Sequence, residues 1–261
     1  MNNAASNNEP ASDISVCVSS IEAIVDKAKR DDRVRPLLDR LEKQCKIEYC
    51  LSRTGIWYFD LDLEVIGCAD TPNPGAALAH ELLHLEMKVR GCRSLYYIVP
   101  KTEPGLALNF RNCLNNELQH HKMYPEFIAL GFQGDEFYGS EEPDTPNTGE
   151  PAIDIAIMYF SAIAPGGSLP EEQRRVDEDR ILQEGNGQYR DGLLKIREAV
   201  EDWKNSSNYD IEPTVRRIWR AIEKSSAWFG YLESDRPPAQ GFFAGEAFDF
   251  IDEYHGLVFK S

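Results

Sequence analysis

Residues 72–91 read PNPGAALAHELLHLEMKVRG, and the reading of this stretch decides the fold around it. Asn73 stands where an N-cap is wanted, Pro74 where its fixed φ suits a first helical residue, and Gly91 where a helix closes, so the segment predicts a helix of about four turns. Ala76, Ala77, Leu78, Ala79, Leu82, Leu83, Leu85, Met87 and Val89 leave it almost no solvent-facing side, which predicts burial around most of its circumference. His80, Glu81 and His84 interrupt that apolar run. Two buried imidazoles and a carboxylate are costly without a strong partner. Residues four apart stack on one helix face, so both imidazoles can share one metal ion, while Glu81 leans over the same edge to reach a water beside it. Zinc is the ion this donor set suits best. The competing reading is a pair of core histidines satisfied by hydrogen bonds.

Upstream, apolar spacing predicts two short helices, in ISVCVSSIEAIVDKAKR (14–30) and VRPLLDRLEKQC (34–45). KIEYCLSRTGIWYFDLDLEVIGCAD (46–70) is rich in aromatic and β-branched residues and predicts two strands around a turn at Thr54-Gly55. Strict alternation from Phe59 to Val65 sets Phe59, Leu61, Leu63 and Val65 on one face of the second strand and Asp60, Asp62 and Glu64 on the other. Downstream, CRSLYYIVP (92–100) reads as extended, and 105–132 as a second long helix, ended or kinked at Pro125. QGDEFYGSEEPDTPNTGEP (133–151) is a composition break, polar and dense in Gly and Pro. Helical patterns follow to the C-terminal region, one of them starting at the cap Ser168, with Trp203, Trp219 and Trp228 as expected core anchors. The expected fold class is α+β, a small antiparallel or mixed sheet with two functional helices, followed by a mainly helical subdomain. The expected divisions are a disordered 1–13, a catalytic core 14–131, a linker or surface loop 132–151, and a helical subdomain 152–261 packed on the core.

A formal charge of −16 opposes any partner held by its phosphates, so nucleic acid is a poor substrate. A basic protein or peptide suits that field better, although acidity also serves solubility alone. The six cysteines form no CxxC pair and read as reduced thiols of a cytoplasmic protein. The first residues, MNNAASNNEPASDIS, lack the basic start and apolar run of a secretory signal, and no later run is long enough to span a bilayer. The same leader also suits an exported effector that works in a host cytosol.

His80-Glu81-Leu82-Leu83-His84 fits HExxH, and here the chain resembles the zincin metallopeptidases. It departs from their metzincin branch, because Met87 and Arg90 occupy the places of that branch's glycine and third histidine. The gluzincin branch instead takes a Glu from a later helix, and the resemblance implies that NNELQHH (115–121) supplies it as Glu117. Glu117 follows His84 by 33 residues, a gap similar to the longer one in clostridial neurotoxin light chains. His121, one turn on, is then implied to bond the reacting carbonyl or to orient Glu117, and His120 competes for either role. The order of strand, active-site helix and ligand helix is similar to that in small intracellular proteases of the ImmA/IrrE type, over roughly residues 46 to 131. The resemblance implies a zinc-dependent endopeptidase in which His80, His84 and Glu117 bind zinc and Glu81 is the general base.

Zincins often align substrate along the strand before the active-site helix, so Asp60, Asp62 and Glu64 are expected to favour basic side chains near the cleavage site. The same acids also suit simple protection of an edge strand. Tyr124, Tyr138 and Tyr231 are candidate oxyanion donors, and His255 is expected to be structural. No phosphate-binding glycine loop and no GxSxG elbow is present. Two rival functions remain: a non-catalytic metal-stabilised sensor or interaction protein, and a zinc amidase acting on a small molecule.

Overall fold

The structure is a computed structural model that describes residues 12–61, 63–93, 96–98, 104–138, 151–167, 169–184, 189–221 and 228–230. Its elements run α1 (Ser12–Lys29), α2 (Arg35–Leu41), β1 (Glu48–Leu51), β2 (Tyr58–Asp60), β3 (Val65–Cys68), α3 (Pro74–Val89), β4 (Tyr96–Ile98) and α4 (Pro104–Ala129). A 3-10 turn (Gly134–Glu136) leads to α5 (Pro151–Ile163), α6 (Glu171–Glu184), α7 (Arg190–Asn205), α8 (Glu212–Ala221) and β5 (Trp228–Gly230). The fold is α+β and mostly helical, with a small mixed three-stranded sheet. No described helix is long and apolar enough to cross a membrane.

The sheet is ordered β1-β3-β2, with β1 parallel and β2 antiparallel to β3. This corrects the expectation of one continuous second strand. The alternation from Phe59 to Val65 spans β2, a reversal and the start of β3. Asp60 Oδ1 accepts the Leu63 N–H at 2.9 Å, Glu64 takes φ 55°, and Leu63 is 68% exposed. An Asp side chain that satisfies a backbone donor three residues on closes a turn more readily than it extends a strand. The consequence for the site is that β2 forms an edge of the sheet.

Helix α3 follows β3 directly. It closes at Gly91, φ 100°, with the Cys92 N–H donating to Met87 O at 2.9 Å, the left-handed ending in which glycine carries no Cβ penalty. At the start, Asn73 is the N-cap residue but its side chain makes no cap bond. The neighbouring Gly75 instead lies against Asp31: a Cβ there would come 2.5 Å from Asp31 Oδ2. Leu78, Leu82, Leu83 and Leu85 are buried, each contributing about 1.5–3 kcal/mol.

Helix α4 runs without interruption through Pro125 to Ala129, rather than ending there. It packs on α3 and also on α5 and α7, and the Trp203 indole N–H donates to Leu118 O at 2.6 Å. Buried residues from Val25 to Ile218 form one cluster, so the helical C-terminal half shares the core of the first half. Phe132 and Phe137, in the segment expected as a linker, belong to that core; residues 139–150 lie outside the described residues. So do 1–11, Asp62, Ser168, Tyr231 and His255. The side chains of Trp219 and Trp228 are likewise not described, whereas Trp203 is the buried anchor expected.

Candidate metal centre

Helix α3 presents His80, Glu81 and His84 to a cleft of about 830 Å³. Its walls are the Ile56–Phe59 segment with β2, the 71–73 turn, the middle of α4 and the loop from Asp135 to Tyr138. The register of α4 brings His120 to the same place. One ring nitrogen from each of His80, His84 and His120 lies within 4.8 Å of the others. His80 Nε2 and His84 Nε2 are 3.1 Å apart, and the ring centroids of His80 and His120 are separated by 4.9 Å. Tetrahedral zinc at 2.0–2.1 Å from each nitrogen needs them about 3.4 Å apart. The widest pair therefore closes by no more than about 1.4 Å.

Hydrogen bonds behind His84 and His120 set the tautomers of these two rings. The Gln119 amide donates to Asn115 O at 2.8 Å, which leaves its carbonyl oxygen to accept from His84 Nδ1–H at 3.0 Å. His84 Nε2 is then the lone-pair nitrogen. His120 Nδ1 lies 3.1 Å from the Tyr138 hydroxyl and 3.5 Å from Glu117 Oε1, while its Nε2 is buried with no hydrogen-bond partner. Phe137 packs its ring 4.6 Å from that of His80 and 5.2 Å from that of His120, holding both imidazoles from one side. Burial, and then the neighbouring imidazoles, push His80 far below the ordinary histidine range and His84 down to about 3. Neutral imidazoles are the form that ligates metal.

Among the described residues, the grouping that can hold a metal is His80, His84 and His120; Glu117, the first expected third ligand, is not part of it. Its carboxylate accepts from the Tyr138 hydroxyl at 2.9 Å, on the far side of His120. Burial pushes the Glu117 carboxyl up, but His120, the Tyr138 hydroxyl and His121 outweigh this and hold it below the usual carboxylate value. Glu117 and His120 are three residues apart on one helix face, so the sequence could not say which of the two reaches the cleft. His121 does not line the cleft. It is buried, and desolvation pushes it down to about 4. The expected catalytic contact of His121 has no geometric counterpart here. Glu81 is 6% exposed and lines the cleft beside His80 and His84, as the motif implies.

Of the candidate oxyanion donors, Tyr138 lines the cleft with its hydroxyl committed to Glu117 and His120, and Tyr124 is not in the lining. The acids of the strand segment are also placed differently from expectation. Asp60 closes the turn before β3, Glu64 pairs with Lys88 at 3.3 Å, and neither lines the cleft. Among the described residues the acidic groups that do are Glu81, Asp135 and Glu136, and no Lys or Arg joins them. Gln119 had no signal of its own in the sequence: only its i, i+4 relation to Asn115 and its place before His120 put it behind His84.

Comparison with known protein families, with curated proteins and with solved structures gives no match.

Proposed function

We propose that this protein is a zinc-dependent metallopeptidase of zincin type, whose zinc is held by His80, His84 and His120 and whose general base is Glu81. The observation that carries the reading is the convergence of three imidazoles, His84 and His120 buried and His80 partly so, two with their Nδ1 atoms engaged from behind, beside a buried carboxylate in an open cleft. Bound zinc supplies Lewis acidity, lowering the pKa of a water to about 7 and polarising a carbonyl. Glu81 takes the proton from the attacking water and returns it to the leaving amine. The helix fixes Glu81 and both its histidines in one rigid frame, so this transfer needs no rearrangement of the backbone.

A cleft of this volume also suits a small molecule. The peptide reading is favoured because β2 is a sheet edge whose residues Tyr58 and Phe59 line the cleft, an arrangement that suits addition of a substrate strand. Glu136 is engaged by Arg33 at 3.3 Å, which leaves Asp135 as the lining acid positioned to favour a basic side chain near the scissile bond. The free thiols at Cys45, Cys50, Cys68, Cys92 and Cys113 suit a reducing, cytoplasmic setting, whether in the producing cell or in a host.

The test is a panel of peptides, with and without Lys or Arg around the centre, incubated with the zinc-loaded protein and with Glu81→Gln. Cleavage by the wild type alone, strongest for basic peptides, is expected. Zinc bound with no peptide bond cut, here or in a search for new protein N-termini, would turn the reading towards the sensor or the amidase.

A further inference from the structure

Two groups touch the third imidazole from behind, and their proton arrangement is fixed by elimination. The Tyr138 hydroxyl has one proton and donates it to Glu117 Oε2 at 2.9 Å. Its oxygen can then only accept from His120 Nδ1, 3.1 Å away, so that nitrogen must carry hydrogen. Glu117 Oε1, 3.5 Å from the same Nδ1, makes the same demand. His120 Nε2 is left as a lone-pair atom, buried and unpartnered, on a ring grouped with His80 and His84.

We infer that Tyr138 and Glu117 act as one relay that positions His120 as the third metal ligand, with Glu117 itself outside the coordination sphere. This rests on the zinc reading above. The carboxylate acts through a hydroxyl, lending part of its charge to the imidazole and fixing both tautomer and ring angle, the task outer partners perform at histidine metal sites. The loop that carries Tyr138 is itself held by the segment before α6. The Gly167 N–H donates to Gly134 O at 2.9 Å, and the Arg174 guanidinium donates to Ala164 O at 2.7 Å and to Gly166 O at 2.8 Å. Gly166, φ 81°, admits no side chain: its Cβ would lie 2.9 Å from the Tyr124 ring and 3.1 Å from Phe137 Cβ. The relay thus ties the metal centre to the start of α6.

Titration of the metal-free full chain with cobalt(II), followed by the visible absorption of the bound ion and by competition with zinc, tests this. Tyr138→Phe keeps the ring and should weaken both metals by about tenfold to a hundredfold while leaving the shape of the cobalt spectrum that of the wild type. Glu117→Gln should do the same, and the double variant should be no weaker than the worse single one, because the two groups act in series. His120→Ala should change the spectrum itself. Wild-type affinity in Tyr138→Phe, or a spectrum altered by Glu117→Gln as much as by His120→Ala, would overturn the relay; the second result would make Glu117 a ligand. A wild type that binds neither metal would overturn the zinc reading and the relay together.

Discussion

Helix α3 buries polar groups on two sides, and the two sides are built on opposite principles. Away from the cleft, Glu86 is 5% exposed and meets Arg40 Nε at 2.8 Å and Arg90 Nη2 at 3.1 Å, while Arg90 also reaches Glu126 at 2.7 Å and the Tyr209 hydroxyl at 2.7 Å. That cluster neutralises itself. On the cleft side, the His80, His84 and His120 rings meet one another with Glu81 as the neighbouring acid and no Lys or Arg among the described lining residues, and His84 and His120 are hydrogen-bonded from behind, to Gln119 and Tyr138. A buried charge that is fully paired is explained by the fold alone. Converging imidazoles, two of them held from the rear with no cation to pair the acid beside them, are explained by a cation that binds in front.

The comparison is broken most strongly at Glu81. Glu81→Gln should lower the rate of peptide hydrolysis by about a hundredfold to ten-thousandfold while metal content and melting temperature stay as in the wild type. Unchanged turnover in that variant would mean that Glu81 is not the general base. The next largest effect is on pH. In the chelator-treated protein, burial holds His84 at about 3 and His121 at about 4, below the unfolded value near 6.5. Below that pH the unfolded chain binds protons that the folded chain refuses, so stability is complete above about 6.5 and falls as pH is lowered, on the order of 2 kcal/mol for each group at pH 5. Urea unfolding at pH 7 and pH 5 measures this. Equal stability at the two values would mean that the imidazoles protonate freely in the fold.

The paired side should answer differently. Glu86→Ala should destabilise by about 1–3 kcal/mol, less than for a fully buried pair, because Arg40 and Arg90 keep side-chain exposures of 42% and 36% and can return to water. Zinc content should not change. A loss of zinc there would show that the two sides of α3 are coupled. Smaller still, Gly75→Ala sets a methyl against Asp31 and should cost about 1–2 kcal/mol, seen as a lowered melting temperature with unchanged metal affinity.

What the sequence disclosed divides along similar lines. Helix α3 was legible because its signals are local: Pro74, the apolar run and Gly91 each act within one turn, and HExxH is a spacing within one helix. The third donor was not, because Glu117 and His120 share a face of α4 and the group that distinguishes them, Tyr138, comes from a segment that reads as a linker. The alternation from Phe59 to Val65 misled for a related reason. A turn closed by Asp60 and a positive φ at Glu64 leaves the polar pattern of a strand untouched while reversing the chain. The pairing of β4 with β5, distant in sequence, likewise carries no local mark.

Whether three imidazoles from two helices hold one metal ion is decided by elemental analysis of the purified protein. About one zinc per chain is expected in the wild type and in Glu81→Gln, and none in His120→Ala. A native-folded wild type without metal, or His120→Ala with its full complement of zinc, would contradict this.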